Sequence, residues 1–431
     1  MRSCRPADVS AFPRPTNPTA IVTATASPAE GLLEGFTVID FTRVLAGPYC
    51  TRLLCDLGAR VIKIERPGEG DEIRYTTFQL EQGRTDQSSY YARLNAGKQG
   101  IAIDLSRAQA RDLVFDLVRA ADVVVENFSP GVMTRYGLDA AALRAEFPEL
   151  VYCSISGFGQ TGPLSSMQAY AHLINAISGM MDLDRGGEAR PRVSYLQAAD
   201  VLAGTHAFGA ICAALLRRAR TGQGATLDVS MLECLIAADD ITYGALLNGA
   251  PVERQPRVGM IVHAYGERHV ALQTAGAPHL WSRLVALVGK PELADDPRFS
   301  TPQARRENWG ALQQVYREWL DHYQSADEAI AALSAARVPV VPMLSPEEVV
   351  DHPQLAAREA FPQVRHPGCG DIRVTATPFF IDGEPTHPRA GAPHLIGEHT
   401  RDVLGTLLGY ADDRIDALHK LGVVAMPDLS G

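Results

Sequence analysis

No run in this 431-residue sequence reaches the roughly 18 consecutive apolar residues of a membrane span. Basic charge is also short, since 40 Lys and Arg stand against 50 Asp and Glu and leave a net charge of −10. That balance excludes wholesale adhesion to nucleic acid or to an anionic membrane, so an anionic ligand needs a local basic site. Cysteine is sparse: positions 4, 50, 55, 153, 212, 234 and 369 are odd in number, scattered and without metal-ligand spacing. Neither a disulfide framework nor a bound metal is expected. Most of these cysteines lie in apolar runs, as reduced, buried thiols of a cytoplasmic protein do. Residues 1–29 lack the apolar core of a secretory signal and alternate Pro, Thr, Ala and Ser, so a disordered tail is expected.

What is present is an ordinary globular composition, 46% hydrophobic and 21% charged, long enough for two or three domains. From Gly31 onward, apolar strands alternate with helices. Strands are expected at 36–42, 61–65, 100–105, 122–128, 150–156 and 225–233, with helices at 46–59, 108–120 and 139–146. Continuously apolar strands in that alternation predict an α/β fold, a parallel sheet covered on both faces. The character changes after a loop at 248–260. A strand at 269–275 and amphipathic helices at 279–289, 310–323 and 326–336 suggest a smaller α+β domain over 255–355. The large domain, 30–250, is completed by 365–431, which ends in two helices at 397–410 and 412–424.

The longest periodic stretch is Ser194–Gly224, where Val201, Leu202, Phe208, Ile211, Leu215 and Leu216 recur at helical spacing. One acid, Asp200, interrupts its small-residue first turn. It reads either as a surface acid favouring the positive end of a helix or as a nucleophile with room for a bulky substrate beside Ala199, Ala203 and Gly204. Ligands of open α/β sheets bind beyond the carboxyl ends of the strands. There Ala46, Gly47 and Pro48 open a helix with free backbone N–H groups. Arg66 follows the second strand, Asn127 and Phe128 close the fourth, and Arg135 lies in the next loop. The string Gly157-Phe158-Gly159-Gln160-Thr161-Gly162 has dinucleotide-fingerprint spacing. It follows a late strand and continues as a loop, so it is not read as a nicotinamide site.

Several strings together resemble the family III CoA-transferases, the formyl-CoA transferase and α-methylacyl-CoA racemase group. They include VIDFTRVLAGPYCTRLLCDLGARVIKIERPGEGD, VVENFSPGVMTRYG, SISGFGQTGP, AADVLAG, RRARTGQGATLDVSMLE and LIGEHTRDVLGTLLGY. The resemblance implies a Rossmann-like large domain with a small domain inserted, and a homodimer whose two chains interlock. It implies acyl-CoA and a small carboxylic acid as substrates, with no permanently bound cofactor. The family's nucleophile falls on Asp200. Its CoA-contacting positions fall on Leu45, Ala46, Arg66, Ile103 to Ser106, Asn127, Phe128, Arg135, and Gln168 through Tyr170 to Ala171. The racemases' His falls on Tyr170, whose hydroxyl is a poor α-proton shuttle near neutral pH, which favours transferase over racemase. Leu45 and Ala171 replace a Gln and a Glu of formyl-CoA transferases, which argues against formate and oxalate. His172 is expected to face another side of its helix, His206 to be structural, and His263 to lie at the surface or to meet an acceptor carboxylate.

Overall fold

The computed structural model describes residues 31–427 except 77, 185–188, 240–241, 252–257 and 276–277. The tail expected at 1–29 lies outside the described residues. Six parallel strands form the centre: Thr37–Asp40 (β1), Arg60–Glu65 (β2), Gln99–Ile103 (β3), Val123–Glu126 (β4), Val151–Ser156 (β5) and Ala225–Ser230 (β6). Their order is β3-β2-β1-β4-β5-β6, and the short strand Val424–Ala425 pairs antiparallel with β3 at the edge. The chain winds outward from β1 through β2 to β3, then returns to β4 on the other side of β1. The gap between β1 and β4 is therefore the switch point, where such sheets leave a crevice for a ligand.

Alternate residues of each strand feed two cores. Val38, Val61, Val123, Cys153 and Ile155 face the helices Ala46–Asp56, Ala171–Ile177, Ala198–Thr221 and Met231–Ala237. Ile39, Ile62, Ile101, Val124 and Tyr152 face Ala110–Arg119, Ala140–Glu146, Thr400–Leu408 and Asp412–Lys420. Helix Ala198–Thr221 is long and apolar enough by composition to cross a membrane, with a mean hydropathy of 1.6. Here it packs on protein: Ala199, Ala203, Ala207, Ile211 and Leu215, spaced one turn apart, are buried in the first core. Gly204 lets it approach the first helix, because a Cβ there would sit 2.5 Å from the Ala46 carbonyl oxygen.

A separate cluster gathers Ile261, Leu272, Leu284, Phe299, Tyr316 and Leu333 between a three-stranded antiparallel sheet and helices Pro278–Val288, Trp309–Leu320 and Ala326–Ala335.

Four expectations need correction. β6 stops at Ser230 rather than Glu233, because the Ser230 hydroxyl accepts the Glu233 N–H (3.3 Å) and starts a helix. The loop placed at 248–260 ends in a strand, Met260–Tyr265, paired with Arg268–Gln273. Its burial alternates residue by residue, but apolar Met260 and Val262 occupy the exposed face, so the sequence lacks the apolar/polar alternation of a half-buried strand. The long return connection contains a hairpin, Gln363–His366 with Gly370–Arg373. The last helix stops at Lys420, so the segment that follows can add the edge strand.

Candidate active site

The loop between β1 and the first helix, residues 41–45, enters the crevice with five of its backbone groups held by side chains. Asp40 accepts the Thr42 N–H (2.8 Å), and the Lys63 ammonium donates to the Thr42 carbonyl (2.7 Å). The Asn127 amide both accepts from the Arg43 N–H (2.9 Å) and donates to the Arg43 carbonyl (2.8 Å), joining the loops after β1 and β4. Val44 has φ of +67°, a left-handed conformation costly for a β-branched residue. Its N–H is captured by the Asp71 carboxylate at 3.1 Å. The loop is thus held in a shape it would not choose, and it delivers the N–H of Ala46 into the crevice.

Beneath it lies a buried ionic array. Lys98 donates to Asp40 (3.0 Å), to Thr51 (2.8 Å), to Asn95 (2.9 Å) and to the Pro48 carbonyl (3.1 Å). Lys63 pairs with Asp71 at 3.0 Å, and Arg74 grips both oxygens of Glu65 at 2.8 and 2.7 Å. Lys98 and Lys63 part company electrostatically. Burial, only partly offset by Asp40, lowers Lys98 to about 8, while Asp71 and Asp40 outweigh burial and raise Lys63.

Asp200 reaches this loop from the other side. Burial raises its carboxyl to about 6, opposed by the backbone N–H groups of Ala46 and of Asp200 itself and then by the charge of His172. The Tyr90 hydroxyl donates to Gln197 at 3.2 Å, and its own titration is pushed up to about 12 by burial and then by the Asp200 charge. The crevice therefore assembles a partly desolvated carboxylate, an N–H donor at a helix start, a phenol and an imidazole. A second acid, Glu126 at the end of β4, is raised to about 7 by burial and accepts the Phe128 N–H (2.9 Å).

The other expected contacts divide. Arg66 is exposed beside Glu69 (3.0 Å), and Arg135 is exposed with no ion partner among the described residues. Phe128 lies under the Arg43 guanidinium, 5.7 Å from ring centroid to carbon. Ser106 is tied to Asp104 at 2.6 Å, and the Ile103 side chain is core, so only its backbone can meet a ligand. Leu45 packs among Ile73, Tyr91 and Leu94. Gln168 and Tyr170 are exposed, and Ala171 is buried at the start of its helix.

His172 is exposed at the start of its helix, and its charge acts on Asp200. His206 is structural as expected, its Nδ1 2.8 Å from the Leu202 carbonyl. His263 is absorbed by its own sheet, 3.3 Å from Asp321 and edge-on to Tyr265. Sequence reasoning missed Tyr90 and the ionic array. The available signal was charge inside apolar strands, Asp40 in TVID and Lys63 in RVIKIE.

Residues 33–400 match the family described as CoA-transferase family III. The chain belongs to CoA-transferase family III. Curated relatives include an acetyl-CoA:oxalate CoA-transferase of Acetobacter aceti, 37% identical over 85% of this chain and 93% of that one. A human succinyl-CoA:glutarate CoA-transferase is 31% identical over 91% of this chain and 90% of its own. Among solved structures, a CaiB/BaiF family protein of Brucella suis is 32% identical with a TM-score of 0.74, covering 88% of this chain and 100% of that chain. As a member of CoA-transferase family III, the protein is an enzyme that transfers CoA, and CoA thioesters are its substrates.

Proposed function

We propose that the protein moves CoA from an acyl-CoA to a free carboxylic acid, with Asp200 as the nucleophile. An Asp200 oxygen attacks the thioester carbonyl, the carbon–sulfur bond breaks, and CoA leaves as thiolate from a mixed anhydride. The thiolate attacks the Asp200 carbonyl and expels the donor acid, leaving an aspartyl-CoA thioester. The acceptor carboxylate attacks that thioester, and the returning thiolate then attacks the acceptor carbonyl. The new acyl-CoA departs and the Asp200 carboxylate is restored. Splitting the exchange this way replaces one hard step by several between species of similar energy.

The observation that carries this reading is the placement of a partly desolvated Asp200 carboxylate against the Ala46 N–H at the switch point. A carboxyl near 6 is mostly anionic at neutral pH and more nucleophilic than an ordinary one. The Ala46 N–H, at a helix start, is suited to an oxyanion. Arg66 and Arg135 suit phosphates, and the Phe128 ring suits a flat base or pantetheine.

The names of the relatives carry oxalate, glutarate, succinate and citramalate, whose shared chemistry is a small dicarboxylate. That is the acceptor class we assign. Oxalate stands in the name of a relative at 37% identity, so the departures at Leu45 and Ala171 do not set it aside. The reading includes a cytoplasmic, interlocked homodimer. Its support is apolar exposure along the segment entering the Asp200 helix, at Met167, Tyr170, Leu173, Ile177, Tyr195 and Leu196. Patches of that kind mark interaction surfaces.

Intact-protein mass spectrometry after brief incubation with a panel of acyl-CoAs, then hydroxylamine, tests the mechanism. A CoA-sized adduct and a hydroxamate at Asp200 are expected. One observation favours a second reading: the His172 charge acts on Asp200, and a histidine coupled to a carboxylate is the acid/base pair that an acyl-CoA racemase needs. An unmodified Asp200 with solvent deuterium entering the α-carbon would establish that reading instead.

A further inference from the structure

Three stretches remote in sequence converge outside the residues assigned to CoA. They are the excursion carrying Glu81, the hairpin strand ending at His366, and the return segment carrying His394. Each offers one ligand atom, and these three atoms lie within 4.8 Å of one another. His394 Nε2 is 2.8 Å from Glu81 Oε2, and the two imidazoles stand edge to face with centroids 5.1 Å apart. His366 is 6% exposed, so this is a built interior corner and not a surface grouping.

Gln87 ties the two histidines together. His366 Nε2 lies 3.3 Å from Gln87 Oε1, and Gln87 Nε2 donates to the His394 carbonyl at 2.8 Å. A ligating histidine ordinarily gives its other ring N–H to such an oxygen, which fixes its tautomer. With Nε2–H donated to Gln87, Nδ1 is the nitrogen left to bind, and only the Gly368 N–H occupies it, at 3.2 Å. The Glu81 carboxylate packs directly against Gly368, where any side chain would push it aside.

The sequence around His366 is His-Pro-Gly-Cys-Gly, a tight turn that brings Cys369 round three residues later, with Gly370 at φ +84°. Cys369 is exposed. Ligands separated by two residues across such a turn are the spacing of structural zinc sites. Judged among themselves, the cysteines showed no metal spacing. The signal pairs a cysteine with a histidine.

We propose that Glu81, His366 and His394 bind one divalent first-row metal ion, zinc by the donor set, with Cys369 as its fourth ligand. Two imidazoles, a carboxylate and a thiolate make a tetrahedral set. A tetrahedron with bonds of about 2.0 Å has edges of about 3.3 Å, so side-chain rotations close the present spacing. The ion would clamp the 79–88 excursion to the C-terminal return. This inference does not rest on the role of Asp200.

The test uses untagged full-length protein dialysed against chelator and titrated with Co2+. About one Co2+ per chain is expected, with the visible absorption of tetrahedral cobalt and a thiolate charge-transfer band, both lost on adding Zn2+. The thermal midpoint should rise with bound metal. His366→Ala and His394→Asn should weaken binding at least about tenfold. A wild-type protein without cobalt absorption, or folded variants that bind as wild type does, would overturn the site. In that case Glu81 and His394 form an ion pair only. Absence of the charge-transfer band alone would remove Cys369 from the ligand set. Should the histidine variants fail to fold, Glu81→Gln keeps the bond to His394. Its loss of cobalt with an unchanged circular dichroism spectrum supports the site, and retained cobalt overturns it.

Discussion

The two walls that meet at the Ala46 N–H are made in opposite ways. The wall from β1, β2 and β3 is finished within one chain: Asp40, Lys63, Glu65, Asp71, Arg74 and Lys98 are all buried, and each has an oppositely charged partner. The wall that brings Asp200 is unfinished, since the segment before its helix leaves Tyr195 and Leu196 bare, with Tyr170 and Leu173 beside it. The difference teaches a division of labour. The first wall sets the geometry of the N–H donor, even paying for a strained Val44. The second carries the reactive group on a surface that a second copy of the chain, on our reading, completes.

The largest break in that comparison comes from the second wall. Asp200→Asn keeps size and polarity but removes the nucleophile. We expect steady-state CoA transfer to fall on the order of 10⁴-fold or more, with CoA still bound, measured by exchange of labelled acid into acyl-CoA. An Asn variant within tenfold of wild type would refute covalent catalysis at this residue.

The first wall should break by unfolding rather than by loss of chemistry. Lys98→Met leaves Asp40 buried with hydroxyls but without its ammonium. Removing one partner of a buried pair costs about 3–5 kcal/mol, read as a lower urea midpoint with an unchanged slope. The same change in an exposed pair such as Arg66 with Glu69 should cost less than about 1 kcal/mol. Equal costs at the two places would mean that the array does not stabilise the loop.

How legible each wall was follows from its physics. β1 to β5 could be read because parallel strands buried on both faces are largely apolar, whereas β6 lies at the sheet edge with Thr226 and Asp228 exposed. The Asp200 helix could be read because its buried stripe repeats every turn. Arg43, Val44 and Tyr90 could not be read. Their roles depend on a left-handed backbone and on contacts across more than a hundred residues, as in Tyr90 with Gln197.

A smaller effect tests the unfinished surface. Tyr195→Asp together with Leu196→Asp places two charges on side chains that are fully and largely exposed in one chain. If the surface is a dimer interface, sedimentation should show self-association weakened on the order of 10²-fold, with the monomer still folded. Unchanged association would assign that face to something other than a second copy.

The smallest effect lies in the pH dependence of stability, and it has opposite signs on the two walls. Burial holds the Asp200 carboxyl up near 6 against an ordinary 3.8, with the Ala46 N–H and His172 pulling the other way. Below 3.8 the acid is neutral in both folded and unfolded chains and costs nothing. Between 3.8 and about 6 the unfolded chain ionises first, so stability falls as pH rises, and above about 6 the loss is constant. Two units correspond to about 3 kcal/mol as a ceiling, and partial exposure reduces this to about 1–2 kcal/mol. Asp200→Asn should therefore be more stable than wild type at pH 7.5, with the gap closing toward pH 4. Glu65 behaves oppositely: Arg74 holds its carboxyl below the usual range despite burial, so its contribution is present above the ordinary carboxylate value and lost as pH falls through the lowered one. Urea unfolding of wild type and Asp200→Asn across that range separates the two. A constant difference between the proteins would mean that the Asp200 wall is as well solvated as an ordinary surface.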